Sequence, residues 1–268
     1  MGGADMIRLT NVHKQLGGRK ILDGLSLEVE EGETLVILGR SGTGKSVTLR
    51  HVIGLLTPDS GQIEVLGEEI SQHRPENLRT VRRRIGYLFQ DGALLDWLNI
   101  SDNIGLPLRE RREHSEKEIV DRIEEVLAEV ELDGHALKLP SEISGGMRKR
   151  AGLARALVCH PEIMLHDEPT SGLDPISSSV INRLIMKLKG MGITQMVVTH
   201  DMGSAFEVAD RIALLHQGTV RALGTSDEIR QSTDPAVQQF IHGKVDGPLA
   251  REIREDPDSS NNNESEES

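Results

Sequence analysis

The run Gly39-Arg40-Ser41-Gly42-Thr43-Gly44-Lys45-Ser46 fits the pattern G-x-x-x-x-G-K-[ST]. The chemistry open to such a run is phosphate binding. Its glycines let the backbone curl tightly, so that N–H groups point inward at phosphate oxygens. A helix N-terminus behind the loop adds a partial positive charge. Lys45 would reach the β- and γ-phosphates, and the Ser46 hydroxyl would ligate Mg²⁺. The flanks suit the motif: Thr34 to Leu38 is apolar and β-rich, and Val47 to Ile53 has helical spacing that stops at Gly54. An ordinary Gly-rich turn would not call for that strand–loop–helix context.

Further residues of the right chemistry end apolar runs. Glu162 to Glu168 reads as a strand closing on two carboxylates, with Pro169 next. Asp167 is placed to hold Mg²⁺ directly or through water, and Glu168 to orient or deprotonate water. Met196 to His200 is a buried strand ending in a histidine that could contact a γ-phosphate, and Ile85 to Gln90 ends in an amide that could reach Mg²⁺ or the attacking water. Ligands of nucleotide-binding sheets lie beyond the carboxyl ends of the strands, where these residues fall. Ser144-Gly145-Gly146 opens a basic-fronted helix over Arg148 to Val158, a second anion-binding geometry. Within one subunit it would duplicate the first loop, which suggests a second nucleotide face.

These residues need a scaffold, and the rest of the chain supplies a pattern for one. Residues 6–38 read as strands and turns, with hairpin turns at Gly17-Gly18 and Glu31-Gly32 and hence an antiparallel edge sheet. Residues 62–66 alternate as a half-buried strand. Leu78 to Arg84 is helical and basic; Arg82, Arg83 and Arg84 are read as a solvated face pairing with acidic neighbours, in preference to a phosphate or nucleic-acid patch. Residues 91–114 show no clear periodicity, and their cluster of Leu94, Leu95, Trp97, Leu98 and Ile100 is either a subdomain core or a surface that receives a partner. Ser115 to Leu132 is a helix with a Ser115/Glu118 capping box. Asp174-Pro175 starts another that ends at Gly190 and Gly192, and residues 212–223 form a hairpin around Gln217-Gly218.

Composition limits the function classes. The 268 residues suffice for one large α/β domain or two small ones. No stretch approaches the roughly 18 apolar residues of a membrane span, and residues 1–7 have no apolar signal-peptide core, so a cytoplasmic chain is expected. One cysteine, Cys159, rules out an internal disulfide and a cysteine-based zinc site. A net charge of −12 argues against nucleic acid as the main partner, and aromatic residues at 2% argue against stacking on single strands. Residues 251–268 hold two basic and seven acidic side chains, a local −5, and Asp256 to Ser268 has no apolar residue, so this end is expected to be disordered.

Taken in order, the motifs resemble those of the ATP-binding cassette (ABC) ATPase subunits of membrane transporters, over residues 6–245. Gly39 to Ser46 resembles Walker A, Gln90 the Q-loop, Ser144-Gly145-Gly146 the signature, and Ile163 to Asp167 Walker B. Glu168 is similar to the catalytic glutamate, Ser171-Gly172-Leu173-Asp174 to the D-loop, and His200 to the switch histidine. The resemblance implies an α/β fold, a P-loop NTPase with a RecA-like core, an antiparallel β subdomain and an inserted helical subdomain. It places the ABC domain at 1–250, the helical insertion at about 91–158 and the acidic tail at 251–268. It implies an ATPase using ATP and Mg²⁺, in which two copies close head to tail around two nucleotides. Gly39, Arg40, Ser41, Gly42, Thr43, Gly44, Lys45, Ser46 and Val47 would bind nucleotide, together with Ser144, Gly145 and Gly146 of the other copy. Ser46, Gln90 and Asp167 would serve the metal, and Glu168, His200 and Gln90 the hydrolysis. A permease would dock near residues 90–107 and hold the subunit at the cytoplasmic face of the inner membrane.

Three shorter stretches, 144–150, 91–96 and 243–248, resemble ATPases of Mla-type phospholipid transporters, which work with an MCE (mammalian cell entry) lipid-binding protein and a permease. An ATPase for amino acids, lipoproteins or drugs is the alternative. A soluble ABC protein of DNA repair is disfavoured, because residues 91–143 are too few for its long coiled coil, and one of translation because the chain has one cassette. Three positions depart from the family. Leu16 stands where an aromatic usually stacks on adenine, a change of about 1 kcal/mol; Met147 follows Ser-Gly-Gly; and His166 interrupts an apolar strand, where a simple hydrogen bond is favoured over a titrating role.

Overall fold

Alternating runs and continuously apolar runs end in two different sheets. In a computed structural model, which describes residues 5–72, 75–244 and 246–248, strands β1 (Asp5–Leu16) and β2 (Arg19–Glu30) pair antiparallel across Gly17-Gly18. β4 (Ser60–Val65) adds to β1 and the short β5 (Glu68–Glu69) to β4, in the order β2-β1-β4-β5. By contrast β3 (Thr34–Leu38), β6 (Ile85–Leu88), β7 (Ile163–Asp167) and β8 (Thr194–Thr199) are buried at every position. Strands apolar on both sides need both faces covered, which favours a parallel sheet flanked by helices. With β9 (Arg211–His216) and β10 (Thr219–Thr225) they form a sheet of order β10-β9-β3-β8-β7-β6, parallel except for β10.

This division corrects the reading of Glu31-Gly32 as a hairpin turn. The turn instead carries the chain from the antiparallel sheet into the parallel one, where β3 pairs with β8 and β9. Gly32 N–H donates to Thr194 Oγ1 at 2.9 Å, tying the crossing to β8.

Three apolar clusters follow. One lies between the sheets, with α1 (Lys45–Val52) and α2 (Pro75–Arg83) supplying Leu49, Val52, Leu78 and Val81. A second covers the other face of the parallel sheet with α6 (Pro175–Gly190), α7 (Met202–Val208), α8 (Ser226–Arg230) and α9 (Pro235–Ile241). The third joins α3 (Ile100–Arg111), α4 (Glu116–Glu129) and α5 (Gly145–Leu157) to Leu88, Met164, Leu184 and Leu188 of the core. Helix α3 lies in the 91–114 stretch, whose sequence shows no clear periodicity. Its stripe of Ile100, Ile104 and Leu108 is masked in sequence by Gly105, by Pro107 inside the helix and by a buried polar residue, Asn103. Asn103 is satisfied by Leu95 N–H and by the carbonyls of Leu95, Leu98 and Asn99, at 2.7–3.1 Å, and so pins the preceding loop. In that loop Trp97 remains 76% exposed.

Other local readings agree with the structure. Ser115 and Glu118 close a capping box, and Asp174 caps α6 with Pro175 in its first turn. Arg83 pairs with Glu113 and Arg84 with Glu162 as expected, but Arg82 departs from that acidic pairing and donates to the carbonyls of Ile53 and Gly54. The acidic tail lies outside the described residues. Among the described residues no helix is long and apolar enough to cross a membrane.

His166 is fully buried in β7, and its Nε2 meets Gln195 Oε1 at 3.0 Å, so the ring is a hydrogen-bonded core group. Burial pushes its pKa from 6.5 down to about 4, with the Gln195 bond opposing. The unfolded chain therefore takes up this proton first as pH falls, so the contribution to stability is present above pH 6.5 and lost toward pH 4. In urea titrations, wild-type stability should fall over this interval by roughly 3 kcal/mol more than that of His166→Gln. Equal falls in the two proteins would contradict a neutral, buried imidazole.

Candidate functional site

Because β3, β8, β7 and β6 run parallel as neighbours, the residues after their carboxyl ends meet at one edge of the sheet. The loop Gly39–Thr43 leaves β3 and enters α1 through Gly44, whose φ of +102° is left-handed. A Cβ there would lie 2.9 Å from Leu22 Cδ2 and 3.0 Å from the Ile21 carbonyl, so the loop is pressed against β2 and needs glycine. Gly44 offers no side chain to cap α1, which leaves the first N–H groups of that helix for a ligand.

Lys45 is buried, and its ammonium donates to the Gly39 carbonyl at 2.8 Å and the Arg40 carbonyl at 3.1 Å. It also stands 3.4 Å from Glu168 Oε1. The other carboxylate oxygen of Glu168 accepts from His200, from Nδ1 at 2.8 Å and from the backbone N–H at 3.3 Å. Ser46 Oγ donates to Asp167 Oδ1 at 2.7 Å, and the Tyr87 hydroxyl donates to Asp167 Oδ2 at 3.1 Å. Burial, reinforced by the charge of Asp167 and the bond to it, raises the pKa of Tyr87, so the phenol stays a donor. A cavity of about 310 Å³ faces this cluster, lined among others by Ser41, Lys45, Ser46, Gln90, Glu168 and His200.

The arrangement suits a polyphosphate with a hard cation. The Ser41–Val47 segment with the Lys45 ammonium lines the cavity together with the Glu168 carboxylate, which could organise water. Among the described residues no group of three His, Cys, Asp or Glu side chains converges on a metal. Ser46 Oγ and Asp167 Oδ1 lie 2.7 Å apart and Gln90 lines the adjoining cavity, a set of oxygens that could serve an ion arriving with phosphate oxygens to complete its shell, the usual manner of Mg²⁺.

Most of the residues read from sequence thus come together, and Val47 lines the cavity as well. Ser144, Gly145 and Gly146 do not line it; Ser144 is the exposed N-cap of α5, its Oγ accepting from Met147 N–H at 3.3 Å. Met147 packs on the helical cluster. Leu16 stands exposed at the hairpin tip, and Ile21 is the apolar residue that β2 contributes to the cavity wall.

Two residues without a role in the sequence reading belong to the site. Tyr87 is masked there as one more apolar member of a strand, and only the β6–β7 register carries it to Asp167. Lys149 looks like part of a basic helix face, yet its ammonium is buried and donates to the carbonyls of Glu168 at 2.9 Å and Ser171 at 2.7 Å. The other cations of α5 act alike. Arg148 donates to the Pro140 carbonyl, Arg150 to those of Val130 and Glu131, and Arg155 to those of Gly92 and Ala93.

Known proteins share this architecture. The sequence model of the ABC transporter family matches residues 22–171. A relative in Mycobacterium tuberculosis, the probable ribonucleotide transport ATP-binding protein mkl, is 42% identical, over 93% of this chain and 70% of its own. In Escherichia coli the intermembrane phospholipid transport system ATP-binding protein MlaF is 38% identical, over 92% of each chain. The ATP-binding cassette MJ0796, solved as a dimer in a post-hydrolysis state bound to ADP and Pi, superposes with a TM-score of 0.76. It is 33% identical, over 82% of this chain and 99% of that one.

Replacing Lys45→Ala removes the one ammonium inside the loop. Titration calorimetry should show ATP affinity reduced about tenfold or more, the worth of a charge-assisted hydrogen bond. Unchanged affinity would detach the loop from phosphate binding.

Proposed function

The chain belongs to the ABC transporter family and is an ATP-hydrolysing motor subunit, and from that premise we propose that it drives phospholipid movement together with a permease and an MCE-type lipid-binding protein. The observation that carries the ATPase chemistry is the meeting of Lys45, Ser46, Asp167, Glu168 and His200 at the ends of three adjacent parallel strands. The lipid reading is supported by end-to-end similarity to MlaF, a phospholipid transport ATPase by name. A ribonucleotide or another solute is the second reading, favoured by the name of the mycobacterial relative.

In this mechanism the loop Gly39–Val47 receives the triphosphate. Lys45 trades its bonds to the loop carbonyls for bonds to β- and γ-phosphate oxygens. Ser46, Asp167 and Gln90 would hold Mg²⁺, which when bound would neutralise phosphate charge. Tyr87 keeps one oxygen of Asp167 engaged, so the other faces Ser46. Glu168 aligns the attacking water and draws its proton, and His200, bonded to the same carboxylate, keeps Glu168 oriented and faces the γ-phosphate.

The helix start at Ser144–Gly146, exposed at Ser144 and Gly145, gains a purpose if a second copy docks on it, since anions suit an N-terminus and this chain's own cavity lies elsewhere. A dimer closing over two nucleotides meets that need. The exposed Trp97 within the pinned 91–99 loop supports a permease contact there, and through it a peripheral position at the cytoplasmic face of the inner membrane.

Two outcomes test this reading. Glu168→Gln should still bind ATP but hydrolyse it about a hundredfold or more slowly, and dimerise more stably in ATP; wild-type turnover would remove Glu168 from the chemistry. Purified from gently extracted membranes, the tagged subunit should carry a multi-span permease, an MCE-domain protein and phospholipid. A permease with a soluble solute-binding protein and no enriched lipid would favour the second reading.

A further inference from the structure

Glu168 has an unusual backbone. Its φ of +48° lies in the left-handed region, which side chains other than glycine and asparagine rarely adopt. Such a conformation persists only where its surroundings over-determine it. Three bonds do so here. Glu168 N–H donates to the Val198 carbonyl at 2.9 Å, Ser171 N–H donates to the Glu168 carbonyl at 3.2 Å, and Lys149 Nζ donates to the same carbonyl at 2.9 Å. The first two are backbone bonds of the neighbouring strand and of the turn. The third comes from a different element, the fifth residue of α5, and the same ammonium also holds the Ser171 carbonyl at 2.7 Å. Lys149 thus clamps both ends of the turn from Glu168 to Ser171.

The cation is built in. The residue is 5% exposed, and burial pulls its pKa down while Asp91 and Glu168 act to raise it. A desolvated ammonium spent on two carbonyls is costly unless the turn it holds matters. Its helix is also packed without slack against the segment that follows Gln90. Gly92 has a φ of +73°, and a Cβ there would lie 2.9 Å from the Arg148 carbonyl; Arg155 holds the carbonyls of Gly92 and Ala93 at 3.0 and 2.7 Å. So one face of α5 grips the 91–93 loop while Lys149 grips the turn that carries Glu168.

We infer that Lys149 is a positioning residue for hydrolysis: it fixes the turn 168–171 so that the Glu168 carboxylate points into the nucleotide cavity, and it transmits movement of the 91–93 loop to that carboxylate. This rests on the reading of Glu168 as the water-activating group. Displacing the loop shifts α5, and α5 cannot shift without loosening the Lys149 bonds or carrying the turn along. The role belongs to the N–H donors of Lys149 more than to its charge, because both acceptors are neutral carbonyls.

The test uses the full chain in Lys149→Met, which keeps the length but has no donor, and Lys149→Gln, which keeps two N–H groups on a shorter stem. Steady-state ATPase kinetics and thermal melts are compared with wild type and with Glu168→Gln. Lys149→Met should lower kcat thirtyfold or more with KM for ATP within twofold of wild type, and Lys149→Gln should lower kcat only three- to tenfold at the same KM. A kcat within twofold of wild type in Lys149→Met overturns the inference. So does a loss of kcat and KM together, equal in both variants and tracking the melting temperature, which marks a merely structural lysine. If Lys149→Met does not fold, Lys149→Gln decides alone: reduced kcat at unchanged KM supports the role, and unchanged kcat or coupled losses overturn it. Wild-type turnover in Glu168→Gln would instead defeat the underlying reading of the site, whatever the lysine variants do.

Discussion

Leu38, Leu88, Asp167 and Thr199 end four parallel strands at one edge of a single sheet, and the site depends on that alignment. The cause is hydrophobic. Each strand is buried along its length, so each must be covered on both faces, and parallel pairing with helices on either side is the arrangement that does so. Once the strands are parallel, every residue just past a carboxyl end joins the same neighbourhood. The phosphate loop, the Glu168 carboxylate, a histidine and an amide then share one cavity, with Asp167 behind it bonded to Ser46, though residues 41 and 200 are far apart in the chain.

Bringing these groups together creates an electrostatic problem that the structure answers locally. Lys45, Asp167 and Glu168 are all buried, and a buried charge without partners would be strongly destabilising. Each therefore has one: Lys45 the loop carbonyls and Glu168, Glu168 also His200, Asp167 the hydroxyls of Ser46 and Tyr87. The partners are groups that a triphosphate and its cation would displace or join. The resting network thus keeps donors and acceptors oriented before the ligand arrives, which lowers the reorganisation needed for catalysis.

Helix α5 connects this centre to the rest of the molecule. Its cations are directed at backbone carbonyls of four surrounding segments, so it behaves as a stiff bracket. Its own N-terminus stays exposed, in keeping with a role toward a second copy. The helical cluster that α5 forms with α3 and α4 reaches the core sheet through Leu88 and Met164, the strands that carry Gln90 and Asp167. Motions of the helical layer therefore act on the site through apolar packing as well as through Lys149.

The amino-acid sequence by itself determined the chemistry and much of the framework. The Gly39–Ser46 loop, the Asp167-Glu168 pair, His200 and Gln90 were legible because each combines a distinctive residue type with a local strand or helix pattern, and periodicity is a local property of the chain. Caps such as Ser115/Glu118 and Asp174-Pro175 were legible for the same reason. What depended on contacts between distant segments was decided only by the tertiary structure. Helix α3 is hidden in the sequence because Asn103 is buried and polar, satisfied by carbonyls that the sequence does not display. Glu31-Gly32 resembles any hairpin turn until the burial of β3 sends it into another sheet. Tyr87 and Lys149 read as a core aromatic and a surface cation; only strand register and helix docking bring their polar atoms to Asp167 and to the Glu168 carbonyl. A hydrogen bond between residues 19 or 80 positions apart leaves no periodic trace, because its geometry is set by how whole elements pack.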